Sequence, residues 1–557
     1  MTAIALRYLA DGVEKRSVDR ENEDYYMAVV RVKNRVRVNL LAKKDMELIT
    51  CSFKKPFHYR KDDQIFLNGY QSWTDTREYD FSEEVHSMNR VPQKVQEHYH
   101  FESYGDAWFW QYHKKNFHSF TYSYVRRARG KCVFIGSLND HNAFLIIHHK
   151  KDENEWSVRS DVEYRRLRAG ERFTLFDFVV GEGDTATVMR SYFERFGKCR
   201  ADKIRGYTSW YLDYQDINEK KMLRSLEQID PQEFDLFQID DGYETFVGDW
   251  QDVDPVKFPN GLQGIVEKTH KKGLKAGIWL APFVCELDSR LYKEHPDWIL
   301  RYKGEEIFAG SNWSGDVALD LRKQEVRDYI RDCLTHYAGM GFDFFKLDFL
   351  YSAAMIAGCD DAGSVSSEEE REDTWYGLTR AGIMRKAMEF LREVLGDKLI
   401  LGCGVPLSSA FNLVDYCRIG PDVSLKFDDV FYMRLMHRER VSTKTTLQNT
   451  IYRSAMDGTV FRCDPDVYLL RDDHISLSRE QRRALVVLNH LCGSVYLTSD
   501  QVGDYDDEKR AVLEEARALS GARILDIARI KNMIAIRYES GGQEGTIVYD
   551  RRKGVLV

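Results

Sequence analysis

Between residues 203 and 500 the sequence alternates short apolar runs with charged, amphipathic stretches, and this rhythm constrains the fold more than any other feature. Parallel strands that are covered on both faces are near-continuous apolar runs, and helices connect them. The eight runs that we predict to be strands are Gly206–Tyr211, Phe234–Asp241, Leu274–Pro282, Val317–Leu321, Gly341–Leu350, Lys398–Cys403, Val414–Ile419 and Ser494–Ser499. Eight such units over roughly 300 residues predict a (β/α)8 TIM barrel.

A doubly wound parallel sheet is the competing architecture. It needs no eighth strand, and it usually opens with a glycine-rich phosphate loop, which this sequence lacks. The barrel is therefore favoured. The longest interruption of its rhythm, Asp360–Glu372, is rich in Ser, Gly and acidic residues and is predicted to be a mobile loop after the fifth strand.

The sequence on either side of the barrel is rich in β patterns. Short alternating runs such as Val30–Val38 and Phe117–Val125 predict a β-sandwich before the barrel. After one helix near Glu508–Leu519, the end of the chain returns to short strands and predicts a small antiparallel β domain. A chain of 557 residues has room for roughly two to four domains, and we predict the borders 1–202, 203–500 and 501–557.

Composition excludes several kinds of partner. The net charge is −8 and no Lys/Arg cluster is interleaved with aromatic residues, so nucleic acid is not expected to bind. No apolar run approaches the roughly 20 residues that span a bilayer, and the first residues do not resemble a secretory signal, so no membrane partner is expected. The ten cysteines are scattered without a Cys-x-x-Cys pair, which favours reduced thiols and a cytoplasmic location. These patterns leave the oligomeric state open.

Polar side chains stand at the ends of the predicted strands, and in a barrel these ends converge on one mouth. They are Asp240, Asp241, Trp279, Lys346, Asp348, Cys403, Arg418 and Asp422. Carboxylates dominate, and no histidine falls at a predicted strand end. Hydrolytic metal sites in barrels normally include imidazole, so we predict neither a metal nor a cofactor, with an all-oxygen Mg²⁺ site as the alternative.

Paired carboxylates at one mouth favour glycoside hydrolysis, in which one acts as a nucleophile and the other, protonated, as an acid. Trp279 would give the apolar face of a sugar ring a surface to rest on. Lys346 and Arg418 would hold neighbouring carboxylates ionised and donate hydrogen bonds to hydroxyls. The doublet Asp240-Asp241 would accept hydrogen bonds from two adjacent hydroxyls, although Asp also favours turns and helix N-caps.

Five ordered motifs resemble glycoside hydrolase family 36, in particular its short bacterial, Thermotoga-like α-galactosidases. They are Phe345–Leu350, Gln238–Glu244 with Asp249-Trp250, Gly277–Pro282, Leu401–Pro406 and Arg418–Asp422. Asn68–Trp73 and Cys463–Asp466 extend the resemblance into both flanks, and it covers most of the chain. The stretch Gly206–Trp210 departs from the family pattern at Tyr207 and Thr208, and Asn68–Trp73 departs from it at Tyr70.

The resemblance implies an N-terminal β-supersandwich, a (β/α)8 barrel and a C-terminal antiparallel β domain. It also implies roles. Asp348 matches the catalytic nucleophile and Asp422 the acid/base. The doublet matches the pair that binds the axial 4-hydroxyl and the 6-hydroxyl of galactose. The remaining matches line the sugar pocket, and Trp73 is lent by the N-terminal domain: Lys346, Cys403 and Arg418 at ring hydroxyls, and Trp279, Trp73 and Trp210 as pocket aromatics.

The function that these matches imply is retaining, exo-acting hydrolysis of terminal α-linked galactose from oligosaccharides of the melibiose and raffinose type. Three alternatives stay open. An α-N-acetylgalactosaminidase needs space beside O2, near Cys403. A transglycosylase of the raffinose-synthase type shares the catalytic pair but favours a sugar acceptor over water. A catalytically silent sugar-binding protein would retain the scaffold without turnover.

Overall fold

A computed structural model of the chain describes residues 4–85, 91–106, 117–127, 130–356, 375–428, 439 and 441–557. The predicted mobile loop Asp360–Glu372 lies outside these residues. The prediction of a β-sandwich, a parallel barrel and a C-terminal antiparallel sheet is confirmed. No helix among the described residues is long and apolar enough to cross a membrane.

The first domain is a sandwich of two seven-stranded antiparallel sheets. Alternation along its strands sends every second side chain inward, as in the first strand, where Leu6 and Tyr8 are buried and Ala5 is exposed. The strands are β1 Ile4–Ala10, β2 Val13–Ser17, β3 Tyr25–Val32, β4 Arg35–Ala42, β5 Met46–Pro56, β6 Gln64–Leu67, β7 Arg77–Tyr79, β8 Phe117–Phe120, β9 Tyr122–Arg126, β10 Lys131–Ser137, β11 Leu145–Lys150, β12 Glu155–Ser160, β13 Arg165–Leu167 and β14 Arg172–Asp184.

The second domain is built on a parallel sheet whose neighbours run in the order β26-β25-β24-β23-β17-β16-β15-β28-β27. Its two end strands are separated in the chain by Pro465 and Asp466 alone, so the sheet curls into a ring of eight strand positions. The strands of the ring are β15 Ile204–Thr208, β16 Leu236–Ile239, β17 Lys275–Leu280, β23 Phe344–Leu347, β24 Leu399–Gly402, β25 Tyr416–Arg418, β26 Arg462–Asp464, β27 Val467–Tyr468 and β28 Val495–Thr498.

The predicted fourth strand, Val317–Leu321, is wrong as a barrel strand. In the structure β17 pairs directly with β23, with Trp279 opposite Lys346, so no strand fits between them. The predicted segment instead overlaps an antiparallel strand in an excursion between the two barrel strands. The strands of this excursion are β18 Val284–Glu286, β19 Arg301–Tyr302, β20 Glu305–Glu306, β21 Phe308–Gly310 and β22 Asp316–Ala318.

The position left without a predicted strand is the one that Cys463–Asp466 occupies. Arg462–Asp464 pairs with β25, and Val467–Tyr468 pairs with β28. A proline interrupts strand pairing because it lacks an N–H donor, so the sequence of this element resembles a loop. The motif is therefore a barrel strand, and Asp348 follows the fourth strand position rather than the fifth.

The helices of the described residues surround the ring and join it to the flanking domains. Asn218 and Ser478 are typical N-caps, each accepting from a backbone N–H of the first turn. The helices are α1 Gln93–Tyr99, α2 Thr185–Phe193, α3 Trp210–Asp213, α4 Glu219–Gln228, α5 Gln263–Lys271, α6 Arg290–Glu294, α7 Gln324–Met340, α8 Arg380–Leu395, α9 Leu407–Ala410, α10 Thr443–Arg453, α11 Arg479–Cys492 and α12 Asp507–Arg517.

The last domain is a four-stranded antiparallel sheet. Its strands are β29 Arg523–Ile530, β30 Met533–Ser540, β31 Gln543–Asp550 and β32 Val555–Leu556. Helix α12 precedes this sheet but packs against α11 on the barrel. We therefore propose that the third domain begins after Arg517 instead of at residue 501.

The sandwich reaches the barrel mouth through the loop Asn68–Trp73. The Ser72 N–H donates to the Val405 carbonyl at 3.0 Å, and the Val405 N–H donates back to Ser72 Oγ at 3.1 Å. The buried Arg453 guanidinium donates to the Ser72 carbonyl at 2.6 Å. These contacts fix the loop against the turn that follows β24, beside the strand ends that carry the polar residues.

Candidate active site

The polar residues that were predicted at strand ends do converge at the C-terminal mouth of the barrel. Asp240 and Asp241 follow β16, and Asp348 follows β23. Cys403 follows β24, and Arg418 ends β25. β23 pairs in parallel with both β17 and β24. Parallel pairing brings the C-terminal ends of these strands to the same rim of the barrel. With Trp279 of β17, five ring strands contribute side chains to one site.

Asp348 accepts hydrogen bonds on both of its carboxylate oxygens. Trp279 Nε1 donates to Oδ2 at 3.1 Å, and the Phe349 backbone N–H donates to Oδ1 at 2.9 Å. Phe349 has a φ of 54°, a left-handed conformation that turns the chain sharply after the strand. Two N–H donors, one on each oxygen, fix the direction of the carboxylate. Trp279 was predicted as a wall for the sugar ring, and its indole N–H also orients this carboxylate.

Lys346 pairs with Asp240, and this differs from its predicted place beside the nucleophile. Its Nζ lies 2.8 Å from Asp240 Oδ2, and both side chains are almost fully buried. Burial raises the pKa of Asp240, but the Lys346 ammonium outweighs burial and leaves that pKa below its ordinary value. Asp240 Oδ2 also accepts from Thr208 Oγ1 at 3.1 Å. Asp240 is therefore an ionised acceptor held rigidly at the mouth.

Asp241 is held by side chains from two other loops. Trp313 Nε1 and Gln215 Nε2 each donate to its Oδ2 at 3.0 Å. Its Oδ1 is buried and accepts from no N–H group or alcohol hydroxyl of the described residues. Buried acceptors are normally satisfied, so this oxygen is suited to a hydroxyl of a bound molecule. Trp313 comes from the excursion before β22, a contribution that the sequence did not indicate.

Glu244 is a second buried carboxyl beside the doublet that sequence reasoning missed. Its Oε2 accepts from the Gly242 N–H at 3.3 Å. Burial first, and then the neighbouring Asp241 with which it hydrogen-bonds, raise the pKa of Glu244 well above its ordinary value. The raised pKa favours its protonated form, which can donate to Asp241. Its only sequence signal is its place in the motif Gln238–Glu244.

Arg418 is fully buried and contacts three carboxylates. Its guanidinium reaches Asp422 Oδ1, Asp464 Oδ2 and Asp466 Oδ1, each at 2.8 Å. Partial removal from water in the barrel mouth raises the pKa of Asp422. Asp348 and Asp240 add to this effect, Arg418 and Lys346 oppose it, and the net direction is upward. Asp464 and Asp466 belong to the motif Cys463–Asp466, which the sequence placed only as part of the resemblance.

Cys403 and the two other predicted aromatic residues complete the mouth. Cys403 is a buried free thiol, and burial followed by the nearby Asp348 raises its pKa well above its ordinary value. The Trp73 ring lies edge-on to Phe349, 5.4 Å between centroids, next to Asp348. Trp210 opens α3 after β15 and packs edge-on against Tyr214 at 5.2 Å, with no described contact to the carboxylates. The N-terminal domain thus contributes Trp73 to the mouth.

The two carboxyls lie in different surroundings. Asp348 accepts two N–H hydrogen bonds that fix its orientation, whereas Asp422 has a raised pKa and a side chain that is 38% exposed. A nucleophile needs a fixed orientation, and a general acid needs a pKa high enough to retain its proton. Asp240 and Asp241 add buried acceptors at the end of β16, which β17 separates from β23. Such a site is suited to cleaving a glycosidic bond.

Comparison with known proteins gives matches in both sequence and fold. The melibiase family matches residues 201–377, a stretch that contains Asp240 and Asp348 and ends before Asp422. α-Galactosidase 1 of Pediococcus pentosaceus is 34% identical over 203 residues, which are 35% of this chain and 26% of that protein. α-Galactosidase Mel36A of Lactobacillus acidophilus is 34% identical over 172 residues, 29% of this chain and 21% of that protein. The matched stretches thus span about a quarter of the curated relatives.

Among solved structures, the α-galactosidase TtGalA of Thermus thermophilus superposes over almost the whole chain. Its complex with p-nitrophenyl α-D-galactopyranoside has a TM-score of 0.70 at 24% identity and covers 97% of this chain and 98% of TtGalA. Its complex with stachyose has a TM-score of 0.69 at 25% identity, with 92% and 99% covered. The family 36 α-galactosidase AgaA of Geobacillus stearothermophilus has a TM-score of 0.62 at 15% identity, with 92% and 71% covered.

Proposed function

We propose that this chain is a member of glycoside hydrolase family 36, since the melibiase family matches residues 201–377, and that it is a retaining, exo-acting α-galactosidase. Its substrates are oligosaccharides of the melibiose and raffinose type that end in α-linked galactose. The observation that carries the proposal is the pair Asp348 and Asp422 at one barrel mouth, the first oriented by two N–H donors and the second with a raised pKa.

The mechanism is a double displacement. Asp348 attacks the anomeric carbon while Asp422, protonated, gives its proton to the leaving oxygen, and a covalent galactosyl-enzyme forms. Asp422 then takes a proton from water, which attacks the anomeric carbon and releases galactose with its original configuration. The Trp279 indole N–H supports the first step because it holds Asp348 in one orientation.

Selectivity for galactose would come from the doublet Asp240-Asp241. Galactose differs from glucose only at the axial 4-hydroxyl, and a charged acceptor makes the stronger hydrogen bond to it. The buried Oδ1 of Asp241 and the ion-paired Asp240 support this role, since a substrate without the matching hydroxyl would leave a buried acceptor unpaired.

The solved relatives support the substrate class. TtGalA has been crystallised with an α-galactoside and with stachyose, and an AgaA variant has been crystallised with raffinose. The curated relatives share only part of their length with this chain. The proposal of α-galactosidase activity therefore rests on the geometry of the site described above. We also propose a cytoplasmic location, because the nine cysteines among the described residues are free thiols.

A substrate panel tests the function. We expect strong hydrolysis of p-nitrophenyl α-galactoside and of raffinose, and almost none of p-nitrophenyl α-glucoside or α-N-acetylgalactosaminide. Proton NMR during the first turnovers should detect α-galactose before mutarotation, because double displacement retains configuration. Initial β-galactose would contradict the mechanism. Faster galactosyl transfer to added sucrose than to water would favour a transglycosylase, and binding without turnover would favour a silent sugar-binding protein.

A further inference from the structure

One buried arginine, Arg418, forms ion pairs with three carboxylates at the mouth of the barrel. Arg418 donates from Nε to Asp464 and from one terminal nitrogen to Asp422. Its other terminal nitrogen forms an ion pair with Asp466 Oδ1, and all three distances are 2.8 Å. The side chains of Asp464 and Asp466 are at most 1% exposed, whereas that of Asp422 is 38% exposed. Two partners of Arg418 are thus enclosed in protein, and the third faces the mouth.

This sharing matters because a positive charge in contact with a carboxyl lowers its pKa, by roughly 1 to 3. An arginine held by Asp422 alone would keep that carboxyl ionised at neutral pH, and an ionised carboxylate has no proton to donate. We propose that Asp464 and Asp466 are positioning residues that take up the charge of Arg418 and so leave Asp422 able to carry the proton it gives to the leaving group.

Asp466 also fixes the backbone beside Asp422. Its Oδ2 accepts from the Val423 N–H at 2.8 Å and from the buried Tyr211 hydroxyl. Its own φ is 74°, in the bend where Pro465 interrupts the barrel strand. The same side chain therefore shares the charge of Arg418 and holds the residue that follows Asp422.

The other charged groups around Asp422 come from three further strands. Lys346 lowers the pKa of Asp422, and Asp348 and Asp240 raise it. Lys346 is already paired with Asp240, and the buried Cys403 thiol is neutral because its pKa is raised. Lys346 offsets one of these two carboxylates, so the positive charge that acts on Asp422 depends on how Arg418 is shared. Burial raises the pKa of Asp466 to about 7, with Arg418 opposing it and Asp422 and Asp464 adding to it, so the negative charge of Asp466 affects Asp422 most above that pH.

The inference rests on the proposed function and is tested by the pH profile of kcat/KM for melibiose, whose sugar leaving group needs the proton. In Asp466→Asn the negative charge is lost and the side-chain size is kept. The basic limb, which reports ionisation of the acid, should move to lower pH by about 1 or more, while the acidic limb stays in place. Asp464→Asn should move the same limb in the same direction.

Asp161→Asn is the matched control, because Asp161 is a buried partner of the buried Arg380 between the sandwich and α8. It should lower Tm without moving either limb. If Asp466→Asn and Asp464→Asn lower the whole profile but leave the basic limb where it is, the two residues are merely structural and the inference is wrong. If Asp466→Asn does not fold, Asp464→Asn alone decides.

Infrared difference spectra separate this inference from the proposed function. The C=O stretch of protonated Asp422 is identified by its loss in Asp422→Asn, and its titration needs no turnover. A lower titration midpoint in Asp466→Asn supports the inference even if the enzyme does not hydrolyse melibiose. An unchanged midpoint overturns it even if the enzyme is an active α-galactosidase.

Discussion

Asp422 has an environment suited to an acid, and its removal should depend on the leaving group. In Asp422→Asn we expect kcat/KM for raffinose to fall by roughly 10²–10⁴, the usual contribution of general acid catalysis. The loss for p-nitrophenyl α-galactoside should be much smaller in its first step, because the aryl oxide leaves without a proton. Steady-state assays of both substrates measure this. Equal losses would remove Asp422 from the acid role.

Glu244 is the second single residue whose replacement should change activity. Its raised pKa favours the protonated form, which donates to Asp241, and Gln can donate from its amide in the same way. Glu244→Gln should therefore retain most of the activity on α-galactosides, whereas Glu244→Ala should lose at least tenfold in kcat/KM by leaving Asp241 without that donor. If the Gln and Ala variants lost activity equally, the charge of Glu244, and not its proton, would be what matters.

Single residues also mark the limit of sequence reasoning. The sequence predicted which side chains stand at strand ends, since an apolar run that ends in a carboxylate is visible in one dimension. It did not predict their pairing. Lys346 binds Asp240, more than a hundred residues away, in preference to Asp348, which is two residues away in the sequence. Trp313 and Asp466 lie in an excursion and a bend whose positions depend on the tertiary fold.

Among the structural elements, the barrel strands were predicted well where they are continuous. Seven of the predicted runs overlap ring strands, and the eighth, Val317–Leu321, belongs to the antiparallel excursion. An apolar run of this length does not reveal its pairing partner, and Pro465 hides the strand that fills the last position. The excursion could not be predicted from periodicity because its strands are only two or three residues long.

The excursion also contains a buried acid with a stability consequence. Asp316 in β22 accepts from the Asn312 N–H at 2.8 Å, and burial raises its pKa to about 7. The folded state holds this proton more strongly than the unfolded chain, so the contribution of Asp316 to stability falls as pH rises from about 4 to 7.

Asp316→Asn removes that penalty, and its Tm relative to wild type should therefore be higher at pH 8 than at pH 5, by a few degrees. Thermal unfolding at the two pH values measures the difference. Asp288→Asn, an exposed carboxylate of the same excursion, is the control and should change Tm equally at both. A pH-independent effect of Asp316→Asn would show that Asp316 is ionised throughout.

For the whole molecule, the site is completed across a domain border. Trp73 packs against Phe349 and Tyr351 with centroids 5.4 and 5.7 Å apart. Trp73→Ala should lower kcat/KM by about tenfold or more with the fold retained, because the turn that carries Asp348 loses its support. Trp156→Leu, in the sandwich core away from the mouth, should lower Tm without changing kcat/KM. Comparable kinetic losses in both variants would assign the effect to general destabilisation.

The three-domain architecture was predictable because each domain has its own periodicity, two residues in the flanks and alternating strand and helix in the middle. The domain contacts were not, since Ser72, Val405 and Arg453 are far apart in sequence and carry no pattern that links them. The function was predicted from two sources. The polar residues at strand ends predicted the type of reaction, and the resemblance to a family predicted galactose as the sugar.

The proposed double displacement depends most on Asp348 as the nucleophile. A 2-deoxy-2-fluoro galactoside with a good leaving group should inactivate the enzyme by trapping the galactosyl-enzyme. Mass spectrometry of a proteolytic digest should then find one fluorogalactosyl group on the peptide that contains Asp348. The label on another residue, or complete turnover of the compound by an active enzyme with no label on Asp348, would contradict the account.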